Sequence, residues 1–460
     1  MTTTPSAASA GPTSATTESP TTESPSTTWT PTTVAALLEA SLATEPGHPA
    51  RPALTYLRRK PGRGMVAVFG SAGRDEIYTV MVDEAAMSRD VADPTGVTIE
   101  RFPADQRLGH LGEVMAPTAA SPVWQALRDA AARAVGEPSG RDWTVVDVVA
   151  TPVRYKPGDR CVVRYAVHAD DEAGHRHVVT VVGKLYGDLE EAAEAADLME
   201  RLWAAQDGES WTARPLSLAA PVPLVVAEDL GSRHSERPAV PGTEVVRFGA
   251  DVPVDAIRRS ARVLADLHTS ATARPDTPLR PGAAEAAKAA KRAVTVGSYV
   301  PGLAAEAERV AASVGETLTA TSPGTLRPTH GSYKPSQLLF RGGAAVVVDF
   351  DQFALADAAL DVGYFLAYLR PPGLWYHRAG TRAWFEAAAE VFLGAYDERM
   401  AQRGVDARER EGILRRSHGY EAALLLKVAA RRANRLHSPR PGEVAAILAE
   451  ITTCVEAARG

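Results

Sequence analysis

The amino-acid sequence predicts an α+β protein of two lobes, because strand patterns dominate its first half and helical patterns its second. Runs of β-branched and aromatic residues separated by turns such as Lys156-Pro-Gly158 are typical of antiparallel strands. One apolar strand, Leu224–Leu230, joins the two halves. From residue 253 onward the apolar residues recur with helical spacing. The predicted helices of this second half span residues 253–270, 282–296, 303–319, 380–402, 406–435 and 442–458.

Length and composition are those of an ordinary globular protein and argue against several functions. The chain has 460 residues, 45% of them hydrophobic and 23% charged, which leaves room for about two or three domains. A net charge of -6 gives no reason to expect nucleic acid or a membrane surface as a partner. No apolar run approaches the roughly 20 residues that span a bilayer, and the N-terminus does not read as a secretory signal. Cys161 and Cys454 stand far apart and suit a reducing compartment, so we expect a cytoplasmic protein.

The N-terminal third divides into a tail and an accessory region. Residues 1–32 are almost entirely Thr, Ser, Pro and Ala, so we expect a disordered tail that cannot bury a core. Residues 33–142 are expected to form an accessory α/β region whose surface would suit a protein partner. A strand, turn and strand around Lys60-Pro-Gly62 echo those around Lys156-Pro-Gly158. Either these are two unrelated hairpins, or the accessory region adds a sheet layer beside the next lobe.

The next lobe is predicted over residues 143–231 and the helical lobe over residues 232–460. Asp188 is placed to cap a helix that follows the third strand of the first lobe. The strands predicted before this helix are Val145–Tyr155, Cys161–Ala169 and His177–Tyr186.

Lys184 lies at the end of the third strand, which is rich in β-branched residues. A charged residue at the end of an apolar strand is usually exposed to solvent. On a helical wheel, Glu200 is the one charged residue inside the apolar arc of the next helix. A carboxylate on a core face needs a cationic partner, and Lys184 is the natural candidate. Such a pair would either hold the lysine for nucleotide phosphates or form a plain structural ion pair.

The stretch from His330 to Asp351 carries the strongest chemical signal. It reads His330-Gly-Ser-Tyr-Lys-Pro-Ser-Gln337, then an apolar run, then Asp349-Phe-Asp351. Two carboxylates two residues apart at a strand end point the same way and can hold a hard cation. This combination indicates a phosphotransferase catalytic loop followed by a metal-binding strand.

With these motifs in order, the chain resembles the aminoglycoside phosphotransferase family, which includes choline-kinase-like and maltokinase-like enzymes and is related to the protein kinases. The resemblance covers about residues 150–370 well and leaves residues 50–140 unexplained. It implies a bilobal protein-kinase-like fold with a β-rich N-lobe and a mainly helical C-lobe. The motifs that carry it are Gly183-Lys-Leu-Tyr186, Ala227-Glu-Asp-Leu-Gly231, Val263-Leu-Ala-Asp-Leu-His268, His330-Gly331, Val348-Asp-Phe-Asp351 and Asp357-Ala-Ala-Leu-Asp361.

The resemblance also implies roles for individual residues and a nucleotide, ATP or GTP, bound with Mg²⁺. Lys184 would contact the phosphates, Glu200 would orient Lys184, and Asp349 would be a Mg²⁺ ligand. Main-chain groups would line the base pocket, and buried side chains would brace the catalytic loop. The base-pocket residues are Glu228, Asp229 and Leu230, and the bracing residues are His268, His330 and Asp361.

Three departures from the family pattern concern the chemistry. Ser332 stands where the family carries the Asp that receives the proton of the acceptor hydroxyl, and a serine hydroxyl is not a base at neutral pH. Gln337 stands where an Asn would bind metal, and its longer side chain displaces the amide oxygen. The Gly-rich phosphate loop is replaced by a turn with one glycine, in which Lys156 and Arg160 would meet phosphates by charge.

Lys334-Pro335 is the dipeptide of Ser/Thr protein-kinase loops, in which the lysine contacts the transferring phosphoryl group. Phosphoryl transfer depends mostly on positioning and charge, and general-base help is worth about 10²- to 10⁴-fold. Loss of the loop Asp would therefore slow transfer without abolishing it, with Asp351 as a partial substitute.

Two functions stay open at this stage. One is a kinase that moves the γ-phosphoryl group of a nucleotide to a hydroxyl of a small molecule or peptide. The alternative is a catalytically impaired pseudokinase, a ligand-binding or partner module in a biosynthetic or regulatory complex. The identity of the acceptor is not readable from the sequence.

Overall fold

The computed structural model describes residues 29–43, 52–60, 64–70, 76–89, 91, 93, 95–136, 143–206, 210–231, 251–320, 324–341, 343–435 and 440–460. The predicted α+β class is confirmed, because antiparallel sheets fill the first half of the described chain and helices dominate the second. Across these ranges, no helix combines the length and the hydrophobicity needed to cross a membrane.

The first elements are helix α1 (Pro31–Leu42) and strands β1 (Ala53–Lys60), β2 (Gly64–Gly70), β3 (Ile77–Val82) and β4 (Val97–Arg101). The strands form one antiparallel sheet in sequence order, and α1 packs against it in a core of its own. The indole Nε1 of buried Trp29 donates to Ala86 O at 3.0 Å, and the Thr30 side chain caps α1. The prediction of a disordered tail is therefore wrong for residues 29–32, and its remainder, residues 1–28, lies outside the described residues.

The next elements are α2 (Leu111–Met115), α3 (Pro122–Ala134), β5 (Thr144–Lys156), β6 (Arg160–Asp170), β7 (Arg176–Leu185), α4 (Leu189–Ala204), β8 (Pro215–Leu218) and β9 (Leu224–Glu228). Their strands form an antiparallel sheet in the order β5-β6-β7-β9-β8. Neighbouring residues of a strand point to opposite faces. Val226 accordingly shares a core with α3, whereas Val225 packs against α4. Helix α3 thus shares its core with the following sheet rather than with β1–β4.

The turn between β5 and β6 is held by a residue from the accessory region. Buried Asp105 accepts hydrogen bonds through Oδ2 from the Tyr155 hydroxyl and the Gly158 N–H, both at 2.8 Å. Its Oδ1 accepts from the Arg107 N–H at 2.9 Å. Gly158 has a φ of 62°, and a Cβ there would meet the Arg107 side chain. The accessory region therefore shapes the turn that carries Lys156 and Arg160.

The second half contains α5 (Val254–His268), β10 (Leu279–Arg280), α6 (Gly282–Tyr299), α7 (Ala304–Ala320), β11 (Leu326–Thr329), β12 (Leu338–Arg341), β13 (Ala344–Val347), β14 (Ala354–Asp357), α8 (Ala359–Leu369), α9 (Thr381–Gln402), α10 (Ala407–Ala433) and α11 (Val444–Arg459). The six helices predicted for this half correspond to α5, α6, α7, α9, α10 and α11. Helix α8 was not predicted, because it is apolar on all sides and has no amphipathic period. It lies at the centre of the largest core, with strands β11 and β14 holding the catalytic loop at its start.

We predict that Asp105→Ala loosens the turn between β5 and β6, because buried donors lose their acceptor at a cost of about 1–3 kcal/mol. Amide hydrogen exchange of residues 155–160, followed by mass spectrometry, should accelerate by about 5- to 100-fold. Asp129→Ala, at a half-buried position on α3 whose carboxylate contacts Arg128, is the matched control and should leave exchange of this segment unchanged. Equal exchange in Asp105→Ala and the wild type would contradict the assigned role.

Candidate functional site

Asp361, at the start of α8, is fully buried and anchors the catalytic loop. Its Oδ2 accepts the His330 N–H at 2.6 Å and lies 3.3 Å from His268 Nε2, and its Oδ1 accepts the Tyr333 N–H at 3.4 Å. Burial opposes ionisation of Asp361, but hydrogen bonds and charge from His268 and His330 hold its pKa below the usual range. His268 is held in turn by the Tyr396 hydroxyl, 2.7 Å from Nδ1. These contacts fix the loop backbone.

Gly331 brings the loop against the turn that follows the metal strand. Its φ is 73°, and a Cβ at this position would lie 1.9 Å from Gln352 O. The Arg280 guanidinium donates to Gly331 O at 2.6 Å. Only glycine allows this close approach.

Ser332 faces His330 rather than a carboxylate. His330 Nε2 lies 3.2 Å from Val348 O, which can only accept, so Nε2 carries the ring proton. Nδ1 is then free to accept from the Ser332 hydroxyl, whose Oγ lies 3.4 Å away. Burial lowers the pKa of His330, which favours this neutral tautomer. The Gln337 amide donates to Ser332 Oγ at 3.2 Å and orients the hydroxyl.

Gln337 and Asp349 form the part of the site suited to a metal ion. Gln337 Nε2 donates to Asp349 Oδ2 at 3.3 Å, while Gln337 Oε1 is buried without a hydrogen-bond partner. Asp349 has a φ of 71°, an uncommon conformation for a residue with a side chain. Burial opposes its ionisation, yet the Lys184 ammonium and the Gln337 amide hold the pKa of Asp349 well below its usual range. A charged carboxylate beside an unpaired amide oxygen fits a hard cation such as Mg²⁺ that takes its remaining ligands from phosphate and water.

Lys184, near the end of β7, joins the sheet lobe to the helical lobe. Its Nζ lies 3.1 Å from Asp349 Oδ1 and 2.5 Å from Asp351 Oδ1. Burial lowers the pKa of Lys184 to about 8, while Asp349 raises it in part. Arg160 also contacts Asp351 and lies 3.7 Å from Glu191 Oε1. Two cations from one lobe therefore meet two carboxylates from the other.

The predicted pairing of Lys184 with Glu200 is wrong. Glu200 is exposed, and the carboxylates that contact Lys184 belong to Asp349 and Asp351. The buried face of α4 runs along Ala192, Ala195, Met199 and Leu202, not along the arc read from hydrophobicity. Leu189 and Ala193 are both exposed, and counting them as core rotated the predicted face toward Glu200.

The remaining predicted nucleotide residues lie at strand ends of the sheet lobe or just beyond them. Lys156 lies 3.7 Å from Asp159 Oδ2, and burial lowers its pKa, whereas Asp159 and Asp349 raise it. Arg341 contacts the Glu228 side chain at 2.6 Å, and Arg164 contacts that of Asp229 at 2.6 Å. Leu230 follows them, half-buried.

Lys334 extends from the loop toward the helices. Its Nζ lies 5.9 Å from the centroid of the Tyr368 ring on α8. Burial lowers the pKa of Lys334 to about 8, and the charge of Asp349 opposes that shift.

Two groups in this region were not predicted from the sequence: Asp105, which holds the β5–β6 turn, and Arg280, which holds Gly331 O. Neither belongs to a local motif. Within the described ranges, no three His, Cys, Asp or Glu side chains cluster as a metal site, so a cation at Asp349 would depend on the amide of Gln337 and on exogenous ligands.

A model of the phosphotransferase enzyme family matches residues 163–404, more than half of the chain and all of the site except the turn from Tyr155 to Arg160. The chain belongs to this family. The predicted family is thereby confirmed.

Solved structures with similar folds are distant in sequence. Glucosamine kinase, in complex with glucosamine, ADP and inorganic phosphate, is 19% identical, with 92% of this chain and 98% of that chain covered and a TM-score of 0.43. Choline kinase from Cryptosporidium parvum is 8% identical, with coverages of 68% and 89% and a TM-score of 0.45. A macrolide 2'-phosphotransferase from Brachybacterium faecium is 21% identical, with coverages of 67% and 95% and a TM-score of 0.36. The comparison with curated proteins found no matching sequence.

We predict that Lys184 titrates near pH 8, as its lowered pKa implies. Its folded pKa lies below the ordinary value of about 10.4, so burial of the charged lysine lowers the stability of the fold fully below pH 8. This loss of stability disappears as the pH rises from about 8 to about 10.4. Reductive ¹³C-methylation followed by NMR titration measures the midpoint. Asp349→Asn removes a charge that supports the ammonium and should move the midpoint further down.

Asp129→Asn is the control and should leave that midpoint in place. A wild-type midpoint near 10, or an upward shift in Asp349→Asn, would contradict the assigned environment of Lys184.

Proposed function

We propose that the protein binds a nucleoside triphosphate with Mg²⁺ and transfers the γ-phosphoryl group to a hydroxyl of a small molecule or peptide. The observation that carries this proposal is the meeting of Lys184 with Asp349 across the two lobes. A lysine for phosphates and a carboxylate for the metal are the two parts that phosphoryl transfer requires close together. We place the reaction in the cytoplasm, since the two buried, unpaired cysteines suit a reducing compartment.

The nucleotide would lie between the lobes. Its base would meet main-chain groups of Glu228 to Leu230, because the side chains of Glu228 and Asp229 are occupied by Arg341 and Arg164. This arrangement does not distinguish ATP from GTP. Its phosphates would draw Lys184 and Arg160 away from the two carboxylates, and Lys156 would add charge from the turn. The turn has side-chain cations where a Gly-rich loop would offer backbone N–H groups.

Asp349 and the Gln337 amide oxygen would hold Mg²⁺. When bound, the cation would neutralise charge on the phosphate oxygens during transfer. Lys334 would stabilise the phosphoryl group from the helical side of the loop. Asp351 would keep Lys184 and Arg160 in place before the nucleotide arrives, and this role takes up its carboxylate.

Ser332 and His330 would together accept the proton that the loop Asp accepts in the family pattern. The acceptor oxygen forms its bond to phosphorus while the bond from phosphorus to the bridging oxygen of the nucleoside diphosphate breaks. The proton of the acceptor hydroxyl passes to Ser332 Oγ as the Ser332 proton passes to His330 Nδ1. His330 becomes an imidazolium, stabilised by Asp361 and Asp349, and then releases its proton to solvent.

The pseudokinase alternative is favoured by the closed charge network. Lys184 and Arg160 are already neutralised by carboxylates without any nucleotide, which suits a module that holds one conformation. On this alternative the protein would bind a ligand or a protein partner, the latter through residues 33–142, and would not turn nucleotide over.

Lys184→Ala and Asp349→Asn test the proposed reaction. Each should lower Mg²⁺-dependent nucleotide turnover by about 100-fold or more, because each removes a charge that stabilises the transferring group. Release of nucleoside diphosphate, with water or an added hydroxyl compound as acceptor, measures turnover. Lys291→Ala, at an exposed position on α6, should turn over at the wild-type rate. Equal turnover in all four proteins would refute the proposal, and nucleotide binding without any turnover would select the pseudokinase.

Ser332 variants test the proton relay. Ser332→Ala should lower the maximal rate by about 10²- to 10⁴-fold with little change in nucleotide affinity. Ser332→Asp restores a carboxylate and should recover the rate, with a pH profile governed by an acid of low pKa instead of a histidine. A Ser332→Ala rate equal to that of the wild type would remove Ser332 and His330 from the chemistry.

A further inference from the structure

A cluster of four basic side chains lies on the helical side of the catalytic loop, and we call it the basic cluster. It consists of Lys334 from the loop, Arg292 from α6, and Lys427 and Arg431 from α10. Two tyrosines of α8, Tyr364 and Tyr368, stack at 6.1 Å with an angle of 9° and connect these side chains.

The contacts of the tyrosine pair place Lys427 and Arg431 beside the loop. Lys334 Nζ lies 5.9 Å from the Tyr368 ring, and Arg431 donates to the Tyr368 hydroxyl at 2.8 Å. Lys427 Nζ donates to the Tyr364 hydroxyl at 2.7 Å and lies 5.0 Å from the ring centroid. The cluster therefore begins at a catalytic-loop residue and continues to α10 across the two tyrosines of α8.

The described residues give the basic cluster no direct carboxylate partner. Among the residues that the structure describes, none of its four members forms an ion pair with a carboxylate. Arg292 donates to the main-chain Ala423 O instead. The nearby carboxylate of Glu285 is already shared by Arg280 and Lys288. Unbalanced positive charge of this kind raises the local concentration of anions.

The pKa of Lys427 reflects the same excess of positive charge. Burial, together with the charges of Arg431, Arg292, Lys334 and Arg280, lowers its pKa to about 6. A partly desolvated amine destabilises the fold, so the filling of space alone does not account for a lysine at this position. Such perturbed groups concentrate at functional sites.

We propose that the acceptor carries an anionic group, a phosphate or a carboxylate, which Lys427, Arg431 and Arg292 bind while the acceptor hydroxyl reaches Ser332. This assignment rests on the proposed function for the hydroxyl and on the basic cluster for the charge. It specifies the acceptor as an anionic hydroxyl compound, such as a sugar phosphate or a sugar acid. Cationic acceptors are disfavoured, because they would bring further positive charge to basic side chains that form no ion pair within the described residues.

Binding measured without nucleotide separates this proposal from the proposed reaction. Isothermal titration calorimetry at pH 7 would compare inorganic phosphate and four sugars that share one ring: a neutral hexose, its amino sugar, its uronic acid and its hexose phosphate. The anionic sugars should bind at least about tenfold tighter than the neutral one, and the amino sugar most weakly. The phosphate and carboxylate arms show which anion the cluster prefers.

Lys427→Met and Arg431→Met should each weaken binding of the preferred anionic sugar by about 10- to 100-fold, the loss expected for one charge-assisted hydrogen bond. Arg415→Met is the matched control, at an exposed position of α10 outside the cluster, and should bind like the wild type. Titrations in two buffers of different ionisation enthalpy should detect proton uptake on anion binding in the wild type and a smaller uptake in Lys427→Met.

Thermal unfolding distinguishes loss of the site from loss of the fold. Lys427→Met removes a desolvated amine and should unfold at the wild-type temperature or above it. Failure of every anion to bind, tighter binding of the amino sugar, or wild-type affinity in Lys427→Met would overturn the proposal. Charge-selective, Lys427-dependent binding without phosphoryl transfer would support the anion site and refute the reaction.

Discussion

The site depends on ion pairs between the two lobes, in which two cations meet two carboxylates. Lys184 and Arg160 belong to the sheet lobe, and Asp349 and Asp351 belong to the loop of the helical lobe. Partly buried charges of one sign would destabilise the fold, so the two cations and the two carboxylates stabilise each other. On the proposed function, a nucleotide with Mg²⁺ would bring phosphates for the two cations and a cation for Asp349. The incoming complex would thus supply new partners for Lys184, Arg160 and Asp349, three of the four charges in these ion pairs.

The substitution of Ser332 for an aspartate fits the charge of the helical side. An aspartate at this position would add a negative charge to the loop that carries Lys334 and would offset part of the positive charge of the basic cluster. A neutral serine leaves that charge to the acceptor, and it avoids repulsion between the loop and an anionic substrate. His330 can accept a proton from inside the fold, where Asp361 and Asp349 stabilise its cationic form. The loop would then exchange a carboxylate base for a serine–histidine pair in a site that admits anions.

The sequence predicts those features that are encoded locally. Strand and helix patterns locate nearly every long element, and the spacing between His330 and Asp349 identifies the family, which the family model confirms. The prediction of Glu200 as the partner of Lys184 is wrong, because the buried face of α4 depends on the sheet it meets. Asp105 and Arg280 act through partners 53 and 51 residues away, and no local pattern encodes such contacts. Helix α8 was not predicted, because a helix that is buried on all sides shows no amphipathic period in its sequence.

The residues proposed to bind the acceptor also could not be recognised from local sequence patterns. Lys334 belongs to the loop motif, but Arg292, Lys427 and Arg431 come from two helices that are distant in sequence and meet only around Tyr364 and Tyr368. Each is unremarkable on its own helix, where a charged residue is usually solvated. Their meaning comes from the absence of a carboxylate partner within the described part of the chain. On the proposed function, charges on α6 and α10 would select the acceptor separately from the phosphate residues, since none of the residues proposed to bind the nucleotide or the metal lies on either helix.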